Sequence, residues 1–329
     1  MYNRGRVSDE TREKVLNICK DLNYQPNLLA QRLASDKVYR FVTLIPKQTA
    51  DNAYWAAPLF GIEKAEKEIS GYGVSVEKHF FNLKDENSFR KKTVDIILSN
   101  PDGILFAPVF EHESLELSKK CDAKNIPYVF IDSYLQDQKN LSFFGQNSFQ
   151  SGYLAGRLIS FNLRKRSELI ILNFSREMAN NPHYNDREKG FRKYIHEHHP
   201  KCHIITINVS PKDEGQMQEI LSDNIRNRTR GIFITSSAHR VAAQISKIGK
   251  RKLSILGYDL TTENIKYLKN GIIDYLICQK SITQGYQGLL AIFETLVQKR
   301  KIEKENYMPL EIITKENYKF YIDFEKQSL

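Results

Sequence analysis

The residue pattern predicts an α/β protein of two similar lobes, each a parallel sheet flanked by helices. From residue 41 onward strand-like and helix-like segments alternate, which is what crossover connections impose on parallel strands. A comparable series reopens at LIILNFS (169–175), so the pattern occurs twice. The longest apolar runs, such as 103–109, are only strand-length, and no membrane span is expected.

The chain opens with helical signals. Ser8 can N-cap a helix whose first turn carries Asp9 and Glu10, and Val15, Leu16, Cys19 and Leu22 follow at helical spacing. Asn23-Tyr24-Gln25-Pro26 interrupts it. A second helix starts near Pro26 and runs to Ser35; it is short, basic and apolar, marginal when alone, and reads as a linker. The first series then comprises strands at 41–46, 74–81, 103–109, 127–132 and 142–146, with helices near 58–69, 86–98, 113–124 and 149–161. The second comprises strands at 169–175, 203–209, 231–236, 253–259 and 274–279, with helices near 186–198, 213–226, 239–247 and 262–269. A long helix (282–298) and a strand (308–314) follow both series, so the chain is expected to cross between lobes more than once. The expected division is 1–37 as a separate helical segment, 38–163 plus part of 280–306 as one lobe, and 164–279 plus part of 307–329 as the other.

Composition narrows the function. The chain has 329 residues, 27% charged and 41% hydrophobic, too much core for disorder. Lys plus Arg number 49 against 39 Asp plus Glu, a formal +10 that leans toward a polyanionic partner. Cys19, Cys121, Cys202 and Cys278 form no Cys-x-x-Cys pair, which argues against a disulfide framework or zinc ribbon. The polar start shows no secretory signal, and a cytoplasmic location is expected.

Catalytic signatures are missing: there is no P-loop, no Gly-x-Ser-x-Gly and no His-Glu-x-x-His. Gly152 and Gly156 fall four apart inside a helical pattern and read as close-packing positions. The run with His196, His198, His199, Cys202 and His203 has zinc-ligand chemistry, but it ends a helix and enters a strand, so its side chains diverge; no metal and no cofactor are expected. A carboxylate pair, Asp132 and Asp259, could in principle hydrolyse a glycoside, yet nothing in their spacing supports an enzyme.

Open α/β sheets bind ligands beyond the carboxyl ends of their strands. Asn52, Tyr54 and Trp55 follow the first strand, Asp132 the fourth and Asn147 the fifth; Ser236, Ser237, Asp259 and Gln279 stand at such ends in the second series. Any one of them could be a cap or turn residue, but their coincidence points to a cleft. Tyr54 and Trp55 could stack on a sugar ring, with a buried core Trp as the alternative. Arg187, opening a helix of the second series, could donate a fork of hydrogen bonds into the cleft, or be a solvated helix charge.

VSDETREKVLNICKDLNYQPNLLAQRLAS, with Tyr24, Pro26, Asn27, Leu29 and Leu33, resembles the third DNA-domain helix and hinge helix of the lactose/galactose repressor (LacI/GalR) family. FGIEKA, FFGQNSFQSGYLAG, REKGF and ILGYD echo that family's periplasmic-binding-protein type I-like body more weakly. The resemblance implies a homodimeric, sugar-responsive repressor whose paired hinge helices lie in the minor groove of operator DNA. Leu33 would wedge into the central base step, Asn27 and Ala30 would face the groove floor, and Arg4, Arg6, Lys14 and Arg32 would meet phosphates. Arg187, Asp259, Asn147 and Gln279 match positions that line the family's sugar cleft. The chain departs from the pattern in beginning at MYNRGRVSD, which matches the loop after the major-groove recognition helix, so direct base readout is not expected from it. KQTADNAYWAAP and SSAHR also replace familiar cleft segments, and effector identity does not carry over. The rival reading is a solute-binding protein for sugar transport.

Overall fold

A computed structural model describes residues 8–21, 38–49, 53–175, 182–249 and 253–321. The expected contacts of Arg4, Arg6, Asn27, Ala30, Arg32 and Leu33 with DNA, and of Asn52 with an effector, fall on residues outside that set. Helix α1 (Asp9–Asp21) begins as expected: Ser8 Oγ accepts from Thr11 N at 3.3 Å. Lys14 is exposed and pairs with Glu10 at 3.0 Å.

The body contains two six-stranded sheets. The first comprises β1 (Tyr39–Pro46), β2 (Val74–Phe81), β3 (Gly103–Phe106), β4 (Tyr128–Asp132), β5 (Ser142–Gly145) and β11 (Glu305–Tyr307), in the spatial order β11-β5-β4-β3-β1-β2. The second comprises β6 (Glu168–Phe174), β7 (His203–Val209), β8 (Thr229–Ile234), β9 (Ser254–Tyr258), β10 (Tyr275–Cys278) and β12 (Glu311–Ile313), in the order β12-β10-β9-β8-β6-β7. Omitting the late strands, the two orders are the same path walked twice. Every pairing is parallel except β10 with β12. The inner strands are buried on both faces, as helices on either side require, with β3, β4, β5 and β6 buried at every position, while the edge strands β2, β7 and β11 carry exposed residues.

The late elements are exchanged. The helix after β5, Ser148–Ser160, packs against the second sheet: Ala155, Leu158 and Ile159 share a core with Leu169, Ile171 and Phe191. The helix after β10, Ser281–Leu296, packs on the first sheet through Leu289, Ile292 and Phe293. The expected lobe boundary at 163 therefore falls one helix too late. The chain passes between sheets at 146–148, 279–281 and 308–310, and these three strands of chain form the hinge. Gln146 Nε2 donates across it to Cys278 O at 3.1 Å, and Lys280 pairs with Glu311 at 3.1 Å.

Each lobe holds one very close helix pair, made possible by glycine. A Cβ on Gly61 in the helix Ala56–Ile69 would lie 2.0 Å from Ile282 O, and one on Gly285 would lie 2.1 Å from Pro58 O. In the other lobe a Cβ on Gly152 would lie 1.9 Å from Arg187 O, and one on Gly190 would lie 1.9 Å from Phe149 O. Gly156 meets Tyr194 in the same contact, so the glycines read as packing positions are packing positions. Smaller differences from the sequence reading concern element ends: the third strand stops at Phe106, the expected helix 213–226 opens with a 3-10 turn before Met217–Asn224, and β11 is an additional strand.

Candidate functional site

Between the lobes lies a cavity of about 1010 Å³, lined by residues that follow the carboxyl ends of strands in both sheets. It contains Tyr54, Trp55, Asp132, Arg187, Ser236, Ser237, Asp259 and Gln279. The structure brings these eight residues, each singled out in the sequence, to one crevice. Asn147 is the exception: it is exposed and caps the helix Ser148–Ser160, accepting from Gln150 N at 2.9 Å, while its neighbour Gln146 turns into the hinge. The helix-cap alternative applies to Asn147.

Arg187 organises the second lobe's wall. It lies in the helix Pro182–His198, whose approach to the helix bearing Gly152 fixes the arginine's backbone. Its guanidinium is fully buried, not solvated. Its Cζ sits 3.6 Å from the Tyr258 ring centroid and 5.1 Å from that of Tyr184, cation–π contacts that suit a weakly hydrated planar cation. Burial pushes the Tyr258 phenol up to about 12, so the ring stays neutral, and Ser151 Oγ lies 3.1 Å from its hydroxyl. Arg187 Nη1 donates to Thr235 O at 2.7 Å, whereas Nε and Nη2 have no hydrogen-bond partner among the described residues. A buried donor left unpaired costs about 1–3 kcal/mol, more for a charged group, so this edge favours a ligand acceptor.

The first lobe answers with Asp132. Tyr54 Oη donates to its Oδ1 at 2.6 Å and Ser133 Oγ to its Oδ2 at 3.1 Å. Ser133 Oγ also lies 2.9 Å from Nδ1 of His183, in the opposite lobe. A serine hydroxyl has one proton; with that proton on Asp132, the neutral imidazole donates from Nδ1 and the chain of bonds has one direction. Burial raises the Asp132 carboxyl above its ordinary range, against the lowering effects of Tyr54, Arg187 and Ser133. Burial, helped by the positive charge of Arg187, pushes His183 well below its ordinary value. Burial and the nearby carboxylates push the Tyr54 phenol well above 10, keeping it a donor.

Asp259 is the counterpart of Asp132. Asp132 ends and Asp259 directly follows the fourth strand of its series, both with left-handed backbone, φ +70 and φ +72, a conformation in which aspartate is tolerated better than most residues. Gln279 Nε2 donates to Asp259 Oδ1 at 2.8 Å, and Asn264 Nδ2 holds the turn through Tyr258 O and Asp259 O at 2.7 and 2.9 Å. Trp55 is 4% exposed, packs in the first lobe's core and meets Tyr54 edge to face at 5.2 Å, so both alternatives apply in part: it is a core residue with an edge on the cavity. Sequence reasoning did not find Tyr184, Tyr258, Ser133 or His183. Tyr184 precedes Arg187 by three positions on one helix, a spacing that puts both on one face, and is the one signal that pointed there.

Among the described residues no group of three or more His, Cys, Asp or Glu side chains is placed to hold a metal ion. Nor is any helix long and apolar enough to cross a membrane.

The doubled sheet, exchanged helices and shared polar crevice define a two-lobed binding protein of α/β build. Residues 42–300 match the periplasmic binding protein domain, and the chain belongs to that family. The ribose operon repressor of Haemophilus influenzae is 28% identical over 320 residues, covering 92% of this chain and 87% of that protein. The sucrose operon repressor of Pediococcus pentosaceus is 23% identical and covers 79% of this chain and 76% of its own length. Among solved structures, a Bacteroides fragilis protein assigned as a LacI transcriptional regulator is 30% identical with a TM-score of 0.79, over 87% of this chain and 100% of that one. A glucose-galactose binding protein from Geobacillus stearothermophilus shares the fold with a TM-score of 0.75 at 23% identity, over 86% and 99%.

Proposed function

We propose that the chain is a sugar-responsive transcriptional regulator, dimeric when bound to operator DNA, in which an effector held between the lobes alters DNA affinity. One observation carries the effector half: the buried Arg187 guanidinium, lying over Tyr258 with two nitrogens unpartnered among the described residues, faces a crevice whose walls present Asp132 and Asp259. Carboxylate acceptors, a forked donor and aromatic faces together suit a neutral polyhydroxylated ring. Tyr54, Trp55, Ser237 and Gln279 complete its surroundings. Because the wall residues come from both lobes, such a ligand binds best at one interlobe angle, and that differential affinity is what shifts an equilibrium.

The DNA-binding half is supported by the named relatives. The match to the H. influenzae ribose operon repressor takes in a larger share of the chain than residues 38–329 alone can supply, so it extends into the segment ahead of β1. A second reading, a solute-binding protein for sugar transport, is favoured by the fold shared with sugar-binding transport proteins. Fluorescence anisotropy of the full-length protein on duplex DNA from upstream of its own gene separates the two. The regulator binds with an affinity that falls steeply with salt and changes when a sugar is added. Failure to bind that DNA at low salt would favour the transport reading.

A further inference from the structure

The cavity is longer than its hinge-side end requires. Its lining on the first sheet runs from Asp132, at the end of β4, past β1 to Phe81 and Lys84 at the edge strand β2. On the second sheet it runs from Gln279, after β10, to Val209 and Pro211 at the edge strand β7. At strand spacings of about 4.8 Å, three steps and four steps correspond to about 14 Å and about 19 Å. Beyond Arg240 a second cavity of about 370 Å³ shares Glu214, His239, Arg240 and Glu263 with the first and continues the opening between helices of the second lobe.

Orphaned polar atoms occur at two places in the lining: Arg187 Nε and Nη2 with Ser236 Oγ, and, with Arg240 where the two cavities meet, Glu263 Oε2, buried without a hydrogen-bond partner among the described residues. The part shared by the two cavities is also shaped: the Arg240 guanidinium lies 4.1 Å from the Phe174 ring centroid and pairs with Glu214 at 2.6 Å, and Lys84 and Ser88 of the first lobe line the same large cavity. A single ring against Arg187 and Asp132 leaves Glu263 unanswered.

We infer that the effector has at least two sugar rings, one held by Arg187, Asp132 and Asp259 and the next by an outer subsite of Arg240, Glu263, Lys84 and Ser88. This rests on the sugar-binding reading proposed above and gives it a size class. The test is isothermal titration calorimetry of the full-length protein with neutral monosaccharides and with disaccharides built from them. One disaccharide is expected to bind at least about tenfold tighter than either constituent, as one or two added hydrogen bonds would give. Arg240→Ala and Glu263→Gln are expected to remove that excess while leaving monosaccharide binding within about twofold. A monosaccharide that binds as tightly as every disaccharide containing it, or an excess that survives both substitutions, overturns the inference and leaves the sugar-binding reading in place. If no sugar of either size binds, both fall.

Discussion

Asp132 and Asp259 end matching strands with nearly the same backbone angles, yet the two lobes use them differently. In the first lobe the carboxylate is held by Tyr54 and Ser133 and linked through His183 to the opposite wall. In the second it is held by Gln279, from the hinge, and stands beside a stacked arginine that has no counterpart among the first lobe's cavity-lining residues. One topology walked twice supplies the positions; the side chains at strand ends give each wall a carboxylate, and the second wall alone adds a buried arginine beside it. A ligand that needs both must bridge the lobes.

Breaking the donor wall has the largest expected effect. Arg187→Ala removes a charged fork at the cavity's centre and is expected to weaken effector binding at least a hundredfold by calorimetry, since hydrogen bonds to charged groups contribute about 1.5–3 kcal/mol each. Arg187→Lys should rescue little, because an ammonium has neither the fork nor the flat stack.

The two glycine contacts sharpen the comparison. Gly61→Ala and Gly152→Ala each force a methyl group onto a backbone carbonyl, at a cost of about 1–3 kcal/mol that thermal unfolding reads as a fall of several degrees. Gly152→Ala pushes on the backbone of Arg187 itself and should also weaken the effector, whereas Gly61→Ala should cost stability alone.

The smallest effects are on pH dependence, measured by urea unfolding. His183 stays neutral in the fold to lower pH than in the unfolded chain, so its contribution is lost as pH falls below about 6.5. Asp132 behaves oppositely: its folded carboxyl keeps a proton to higher pH than the unfolded one, so stability falls as pH rises through the ordinary carboxylate range toward the raised folded value. His183→Asn should flatten the first slope and Asp132→Asn the second.

The alternation of apolar runs and helix signals was enough to place nearly every strand and helix, because parallel sheets covered on both faces need continuous apolar strands. It could not show that the helices after β5 and β10 cross to the other lobe, since an amphipathic helix such as Ser148–Ser160 shows its apolar face without naming the sheet that covers it. Tyr54, Trp55, Asp132, Ser236, Ser237, Asp259 and Gln279 were legible from their place at strand ends, but Asn147 occupies such a place and spends its side chain on a cap. Tyr258 was hidden because an aromatic at the end of a buried strand looks like core; the arginine lying on it becomes evident only when the helix Pro182–His198 is set beside β9.

The claim that both walls hold one ligand is tested most directly by thermal unfolding of the wild type, Asp132→Ala and Arg187→Ala with neutral sugars, sugar acids, sugar phosphates and nucleobases. A ligand at about 100 times its dissociation constant adds roughly 2.7 kcal/mol, or several degrees. The account predicts a shift from neutral sugars that disappears in both variants. A shift that persists when either wall is removed, or that comes only from nucleobases, would contradict it.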